Sequence, residues 1–306
     1  MRILVVRTDK LGDFITALPT MMVLKQHNLQ NKIIACVAPM NEELALACGF
    51  IDEVIVDDGT LGVWEFSKKL RDVEADVSIT LFSNTRVALS QFLASIPLRI
   101  APATKFAQIF YNHRVLQRRS EVKMAEFEYN LELAKELFRD IDVSYKKPLL
   151  DFGYVRKEGI CFHVGFGGSS DANWSLDEYV ELIDMALQRD RVTLTFGPDE
   201  VKLMETMQQK LEGRDVEFYI SKDGLVEFAR YITKFRVFIS TSTGTYHLAS
   251  LVGTSTITFF ASSLFASAKR WKSVGEPRLQ KHFMIPHSDI EREKLLERVK
   301  EELSTF

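Results

Sequence analysis

Apolar positions recur along this 306-residue chain in two rhythms. Short, β-branched runs form one: ILVV (3–6), KIIACVA (32–38), EVIVD (53–57), DVSITLF (76–82) and LRIA (98–101). Amphipathic stretches lie between them, among them FITALPTMMVLKQ, EELALAC, WEFSKKLRDV and EFEYNLELAKELF (126–138). Near-continuous apolar strands alternating with helices predict a parallel sheet covered on both faces. The pattern restarts after YKKPLLDFGYVRKEG. Strands are expected at ICFHVG (160–165), VTLTFG (192–197), VEFYI (216–220), VFIST (237–241) and TITFF (256–260), with helices from Leu176, from Asp199, over LVEFARYI and after Gly244. The last segment, SDIEREKLLERVKEEL, is helical with mixed charges outside. The connecting stretch carries Pro148, Gly153 and Gly159 and reads as a linker. The expectation is an α/β fold of two doubly wound, Rossmann-like domains, 1–153 and 159–306, facing across a cleft. Ligands of such sheets bind beyond the carboxyl ends of the strands.

Composition narrows the function. The length suits two domains, and a hydrophobic fraction of 46% supports real cores. A formal charge of −3 excludes a chain that is basic throughout, so any acidic partner must meet a local patch. Cys36, Cys48 and Cys161 are odd in number and fit no metal spacing. They read as reduced thiols of a cytoplasmic protein. The N-terminal apolar run is too short for a signal peptide, and no run reaches the ~20 residues of a membrane span. Attachment to a membrane surface stays compatible with this.

Four segments carry candidate chemistry. VVRTDKLGDFITALP (5–19) leaves the first strand and enters a helix. Its single glycine, Gly12, excludes a dinucleotide fingerprint, which needs three. Asp13 falls where a helix N-cap would, but a carboxylate there could also take a proton from an acceptor hydroxyl. HVGFGGSSDANWSLDEYVELI (163–183) places Gly165, Gly167 and Gly168 after a strand, with Ser169, Ser170 and Asn173 as hydrogen-bonding groups. Ser175 and Glu178 have capping-box spacing. Such a turn presents backbone N–H groups to an anion such as a diphosphate, or is a plain loop before a capped helix. STSTGTYHLASLVG (240–253) repeats the arrangement with Thr241, Ser242, Thr243 and Gly244, and puts His247 in the first turn, as a ligand or as a satisfied structural group. The span 105–123 holds Lys105, Arg114, Arg118, Arg119 and Lys123 against Glu121 alone, interleaved with Phe106, Phe110 and Tyr111. It is a solvated helix face or a patch for a phosphorylated, acidic or membrane-anchored acceptor. No nucleic-acid fold signature accompanies it.

Laid out in this order, the segments resemble the glycosyltransferases related to lipopolysaccharide heptosyltransferases, glycosyltransferase family 9. ILVVRTDKLGDFITALP is similar to the N-terminal motif in which a basic residue and G-D precede an apolar helix. FHVGFGGSSDANWSLDEYVELI resembles the glycine-rich loop that ends in Trp. STGTYHLASLVGTSTITFFASS resembles the T-G-x-x-H-L-A block, and AKRWKSVGEP the later R-W-x-P-x-G element, with Ser273 where Pro is usual. The resemblance implies a GT-B fold and inverting transfer of a sugar, usually from ADP-heptose, to the core oligosaccharide on lipid A. It assigns Asp13 as general base and Thr243, Gly244 and His247 to the donor. Ser242 stands where Asp is common, and Ala172 where many members carry a Lys that neutralises the diphosphate, a task left to backbone groups, hydroxyls or Arg270. Arg7, Lys10, Lys105, Arg114 and Arg118 are expected on the acceptor side. No D-x-D or histidine-cluster metal motif is present, so no obligatory metal or cofactor is expected; the nucleotide sugar is a substrate. The competing expectations are a non-catalytic sugar-nucleotide-binding protein and a transferase of this fold with another donor.

Overall fold

A computed structural model describes residues 1–104, 106–165 and 173–305. The chain divides into two compact units, Met1–Leu149 and Leu150–Phe306.

The first unit is built on one sheet: β1 (Arg2–Arg7), β2 (Lys32–Val37), β3 (Glu53–Val56), β4 (Val77–Thr80), β5 (Leu98–Pro102) and β6 (His113–Val115). Their order is β3-β2-β1-β4-β5-β6, all parallel. The connecting helices are α1 (Leu11–His27), α2 (Glu42–Ala47), α3 (Val63–Arg71) and α4 (Thr85–Leu93), and α5 (Glu126–Leu137) follows the sheet. α1 is apolar on nearly every side, and Leu11, Phe14, Ile15, Leu18 and Met21 are all buried. It runs unbroken through Pro19. α5 covers it, with the Asn130 amide donating to the Thr16 carbonyl at 3.1 Å. A core of Leu4, Val6, Ile34, Phe66, Leu70 and Val87 fills one face of the sheet.

The second unit repeats the plan with β7 (Ile160–His163), β8 (Val192–Phe196), β9 (Val216–Ile220), β10 (Val237–Thr241), β11 (Ser255–Ala261) and β12 (Gln280–Ile285). Its order, β12-β11-β10-β7-β8-β9, is again all parallel. Numbered from its own first strand, this is the same 3-2-1-4-5-6 sequence read from the other edge. Its helices are α6 (Leu176–Leu187), α7 (Val201–Lys210), α8 (Leu225–Ile232), α9 (Gly244–Leu251), α10 (Ala268–Trp271) and α11 (Asp289–Leu303). Phe162, Leu194, Phe196, Ile239, Ile257 and Phe259 form one face, against Tyr179 and Leu182 of α6 and Val299 of α11.

The alternate residues mix apolar side chains such as Phe238 and Phe260 with polar ones nearer the carboxyl edge. Ser240 is in register with His163 on one side and with Thr258 on the other, and Thr258 with His282. A row of hydrogen-bonding side chains therefore crosses the sheet just below its carboxyl edge.

Local signals explain the helix ends. The capping box at α6 is formed: Ser175 Oγ accepts from Glu178 N at 3.2 Å and Glu178 Oε2 from Ser175 N at 2.6 Å. Trp174, just before it, is buried edge-to-face on Phe259, with centroids 5.5 Å apart. No helix among the described residues is long and apolar enough to cross a membrane. Ser175→Ala should lower the unfolding free energy by about 1 kcal/mol. A urea titration in which the midpoint stays put would show that the box does not hold this helix start.

Candidate active site

Each sheet has one point where successive connections leave in opposite directions: between β1 and β4 in the first unit, between β7 and β10 in the second. The loops at the carboxyl ends of those strands define the binding crevice of a doubly wound sheet. Three of the four segments singled out from the sequence fall on them.

In the first unit Arg7 is the last residue of β1 and is 2% exposed. Burying a guanidinium is tolerated only when its donors are satisfied by charge. Here Nε donates to Asp9 Oδ1 at 2.8 Å and Nη2 to Asp13 Oδ1 at 2.5 Å, while Nη1 lies 3.5 Å from Glu126 Oε1 of α5. Burial alone would lower the Arg7 pKa; the three carboxylates more than reverse that, and it is raised. Glu126 is also held by Arg119, at 2.5 Å. Asp9 is pushed up to about 6, because burial and the neighbouring Asp13 outweigh Arg7.

Asp13 is not the helix cap. The N-cap position of α1 is Lys10, and Asp13 is the third helical residue, where the helix dipole favours a carboxylate. Its side chain keeps 21% of its surface open, so a ligand can reach it. Arg7, expected to meet an acceptor, instead faces Asp13. Lys10 is exposed beside this loop. The basic span is no helix: it forms two 3-10 turns around β6. Arg114 and Arg118 are exposed there, Arg118 pairing with Glu121 at 3.3 Å. Arg119 turns inward to Glu126, Gln117 and Asn130. Lys105 lies outside the described residues.

In the second unit Gly165 follows β7. A Cβ on it would sit 1.9 Å from Glu200 Oε1. Glu200 also accepts from the Gly197 N–H at 2.7 Å, and its Oε2 lies 3.8 Å from His163 Nε2. Sequence reasoning passed over this residue; the signal was an acidic group in the turn GPDE, directly after β8. Gly167, Gly168, Ser169, Ser170 and Ala172 lie outside the described residues. Asn173 Oδ1 accepts from Trp174 N at 2.9 Å and from the Tyr179 hydroxyl at 3.0 Å, which fixes the entry to α6.

Thr243 is the N-cap of α9 but makes no side-chain cap bond; its Oγ1 lies 2.8 Å from Thr245 Oγ1. Gly244 opens the helix, and the Ser242 N–H donates to the Phe259 carbonyl at 2.8 Å. His247 is buried, its Nδ1 3.2 Å from Ser273 Oγ. Burial, reinforced by His282, pushes its pKa down to about 3. Ser273 N in turn donates to the Tyr246 hydroxyl, which also reaches His282 Nε2 at 3.0 Å. Arg270 stacks on Phe265, 3.5 Å from the ring centroid. A Cβ on Gly275 would meet the Ser250 carbonyl oxygen at 2.5 Å, so this position requires glycine. Among the described residues no group of His, Cys, Asp and Glu is arranged to hold a metal.

Comparison with known proteins sets this geometry in a class. The backbone superposes on E. coli ADP-heptose lps heptosyltransferase II with a TM-score of 0.79 at 16% identity, over 100% of this chain and 99% of that one. E. coli heptosyltransferase WaaC with ADP gives 0.76 at 17% identity, covering 98% and 100%. The two parallel sheets are thus the GT-B fold. Residues 63–278 match the model of glycosyltransferase family 9 (heptosyltransferase). A Haemophilus influenzae protein provisionally assigned as a glycosyltransferase is 35% identical over 90% of this chain and 86% of its own length. The chain belongs to glycosyltransferase family 9.

The buried histidine gives a pH test. An unfolded histidine takes up its proton near pH 6.5, whereas folded His247 stays neutral down to about 3. The unfolded state binds more protons between those values, so stability falls as pH drops through that window, by up to about 1.4 kcal/mol per pH unit from this group. The unfolding free energy of His247→Phe should fall less steeply there. Parallel curves for the two proteins would contradict the buried neutral imidazole.

Proposed function

We propose that this glycosyltransferase moves a sugar, heptose by the reading favoured here, from an ADP-linked donor onto the core oligosaccharide of a lipopolysaccharide, with inversion. The observation that carries the reading is the Arg7–Asp13 pair at the carboxyl end of β1: a carboxylate held in one orientation, yet open to a ligand. In the reaction Asp13 takes the proton of an acceptor hydroxyl as its oxygen attacks the anomeric carbon. The bond from that carbon to the nucleoside diphosphate breaks on the opposite face, and the diphosphate leaves with the electron pair. Orientation of the two reactants supplies much of the acceleration, and stabilisation of the leaving charge supplies the rest.

The second unit is assigned the donor. The start of α9, at Ser242, Thr243 and Gly244, offers backbone N–H groups and the positive end of a helix to the diphosphate. Gly165, Asn173, Arg270 and His247 are assigned to the same donor. Glu200, beside Gly165, is placed to accept hydrogen bonds from sugar hydroxyls, as acidic groups after a strand do in nucleotide-binding sheets. The first unit is assigned the acceptor, with Lys10, Arg114 and Arg118 toward its phosphates and toward an anionic membrane surface that carries it. Ser242 and Ala172 depart from the family pattern on the donor side, which favours as second reading a different donor sugar on the same fold.

Asp13→Asn keeps the shape of the side chain and removes its basicity. Transfer from ADP-heptose to a lipopolysaccharide-core acceptor should fall at least 100-fold, in line with loss of a general base. ADP binding by calorimetry should stay within about twofold, since the substitution removes no donor contact. Near-normal transfer by the variant would remove Asp13 as base.

A further inference from the structure

We propose that Asp9 is a positioning residue that divides the Arg7 guanidinium with Asp13 and so keeps Asp13 basic; the inference rests on the reading of Asp13 as the general base.

The geometry contains a conflict. A general base must be oriented, and Arg7 orients Asp13 through Nη2. A buried cation at hydrogen-bond distance also stabilises the ionised carboxylate and lowers its proton affinity. A base served by an undivided buried arginine would be well held and weak. Three features relieve this. Asp9 takes Nε of the same guanidinium at 2.8 Å. Its negative charge adds repulsion beside Asp13, since both carboxylates sit on one cation. Glu126, the third carboxylate, is bound more closely by Arg119, at 2.5 Å, than by Arg7, at 3.5 Å. Arg7 is left mainly to the two aspartates.

The placement of Asp9 is built. The Asn41 side chain donates to the Asp9 carbonyl at 3.0 Å and ties the loop to the segment after β2. Among the described residues, the charged groups ion-paired around the two aspartates are Arg7 of β1 and, from α5 and the turn before it, Glu126 and Arg119, with Lys10 in the same loop. Asp9 is pushed up to about 6 chiefly by burial, with repulsion from Asp13 adding to it and Arg7 opposing it.

The test is a carbon-13 titration of the aspartate side-chain carboxyls in the full chain, with Asp13 assigned by its absence in Asp13→Asn. In the unmodified protein the Asp13 resonance should bend at the pH where Asp9 titrates. In Asp9→Asn, which keeps an oxygen to accept from Arg7 but loses the charge, the Asp13 midpoint should fall by about 1 pH unit or more. Asp9→Glu should restore most of it. The acidic limb of the transfer rate should move to lower pH with the midpoint, and the plateau kcat should drop as the base weakens. A residue that merely supports the loop would lower kcat without moving either midpoint or limb.

An Asp13 midpoint that is unmoved in Asp9→Asn, together with no inflection in the unmodified chain, overturns the proposal. The second measurement needs no variant, so failure of Asp9→Asn to fold does not block it. Loss of transfer in Asp13→Asn with an unmoved midpoint discards the division of Arg7 and leaves the base in place. Retained transfer in Asp13→Asn with loss in Asp9→Asn makes Asp9 the base and overturns both assignments.

Discussion

Strands that all run one way cannot be joined by hairpins. Each must be followed by a crossover that returns the chain to the starting edge, and that requirement shapes everything else in this molecule. Helices fill the crossovers and cover both faces, so the strands become near-continuous apolar runs. All carboxyl ends collect on one edge of each sheet. Where connections leave in opposite directions the covering helices separate, and loops there have room for a ligand. The Arg7–Asp13 loop lies at that point of the first sheet, and Gly165 and the Thr243–Gly244 turn lie at that of the second.

Charge then decides what the first of these loops can do. A guanidinium at the end of a central strand, 2% exposed, would be prohibitive without partners. The chain supplies three carboxylates and a second arginine, Arg119, so the cluster holds two cations and three anions. Removing one member leaves the others buried and unbalanced, which costs more than the pair contributes. The same arrangement fixes α5 against α1, since Glu126 and Asn130 lie on α5 and Asp13 and Thr16 on α1. Packing and charge are joined at this point.

Much of this was legible in the sequence, and the exceptions have physical reasons. The central strands, buried on both faces, announced themselves as apolar runs. β6, with the residues His113, Arg114 and Val115, and β12, starting at Gln280, are edge strands with water or polar groups on one side, and neither carries such a run. α4 was missed because TRVALSQFL is short and weakly amphipathic. The capping box at Ser175 was visible because its two side chains act three residues apart. Arg7 was expected to meet an acceptor because nothing local shows that it is buried with Asp9 and Asp13 and closed off by Glu126, 119 positions away. Asp13 was displaced by the position of a helix start, a matter of three residues. Glu200 was overlooked because its neighbours Gly165 and His163 come from another strand.

The second unit poses the complementary electrostatic problem. If the proposed donor binds here, its diphosphate needs positive charge, yet burial and His282 push the His247 pKa down to about 3, so the imidazole is neutral near pH 7. Its Nδ1 is engaged with Ser273, whose backbone N–H donates to Tyr246, so the imidazole is held by a polar network rather than by an anion. Such a group can give a diphosphate a hydrogen bond but no charge. The family pattern often places a lysine at 172, where this chain has alanine. On the proposed assignment of the donor to this unit, charge compensation would fall to Arg270 and to the first turn of α9, whose N-cap threonine spends its hydroxyl on Thr245 rather than on the helix. Backbone N–H groups left uncapped at a helix start are the donors a phosphate would use, and their strength does not depend on pH.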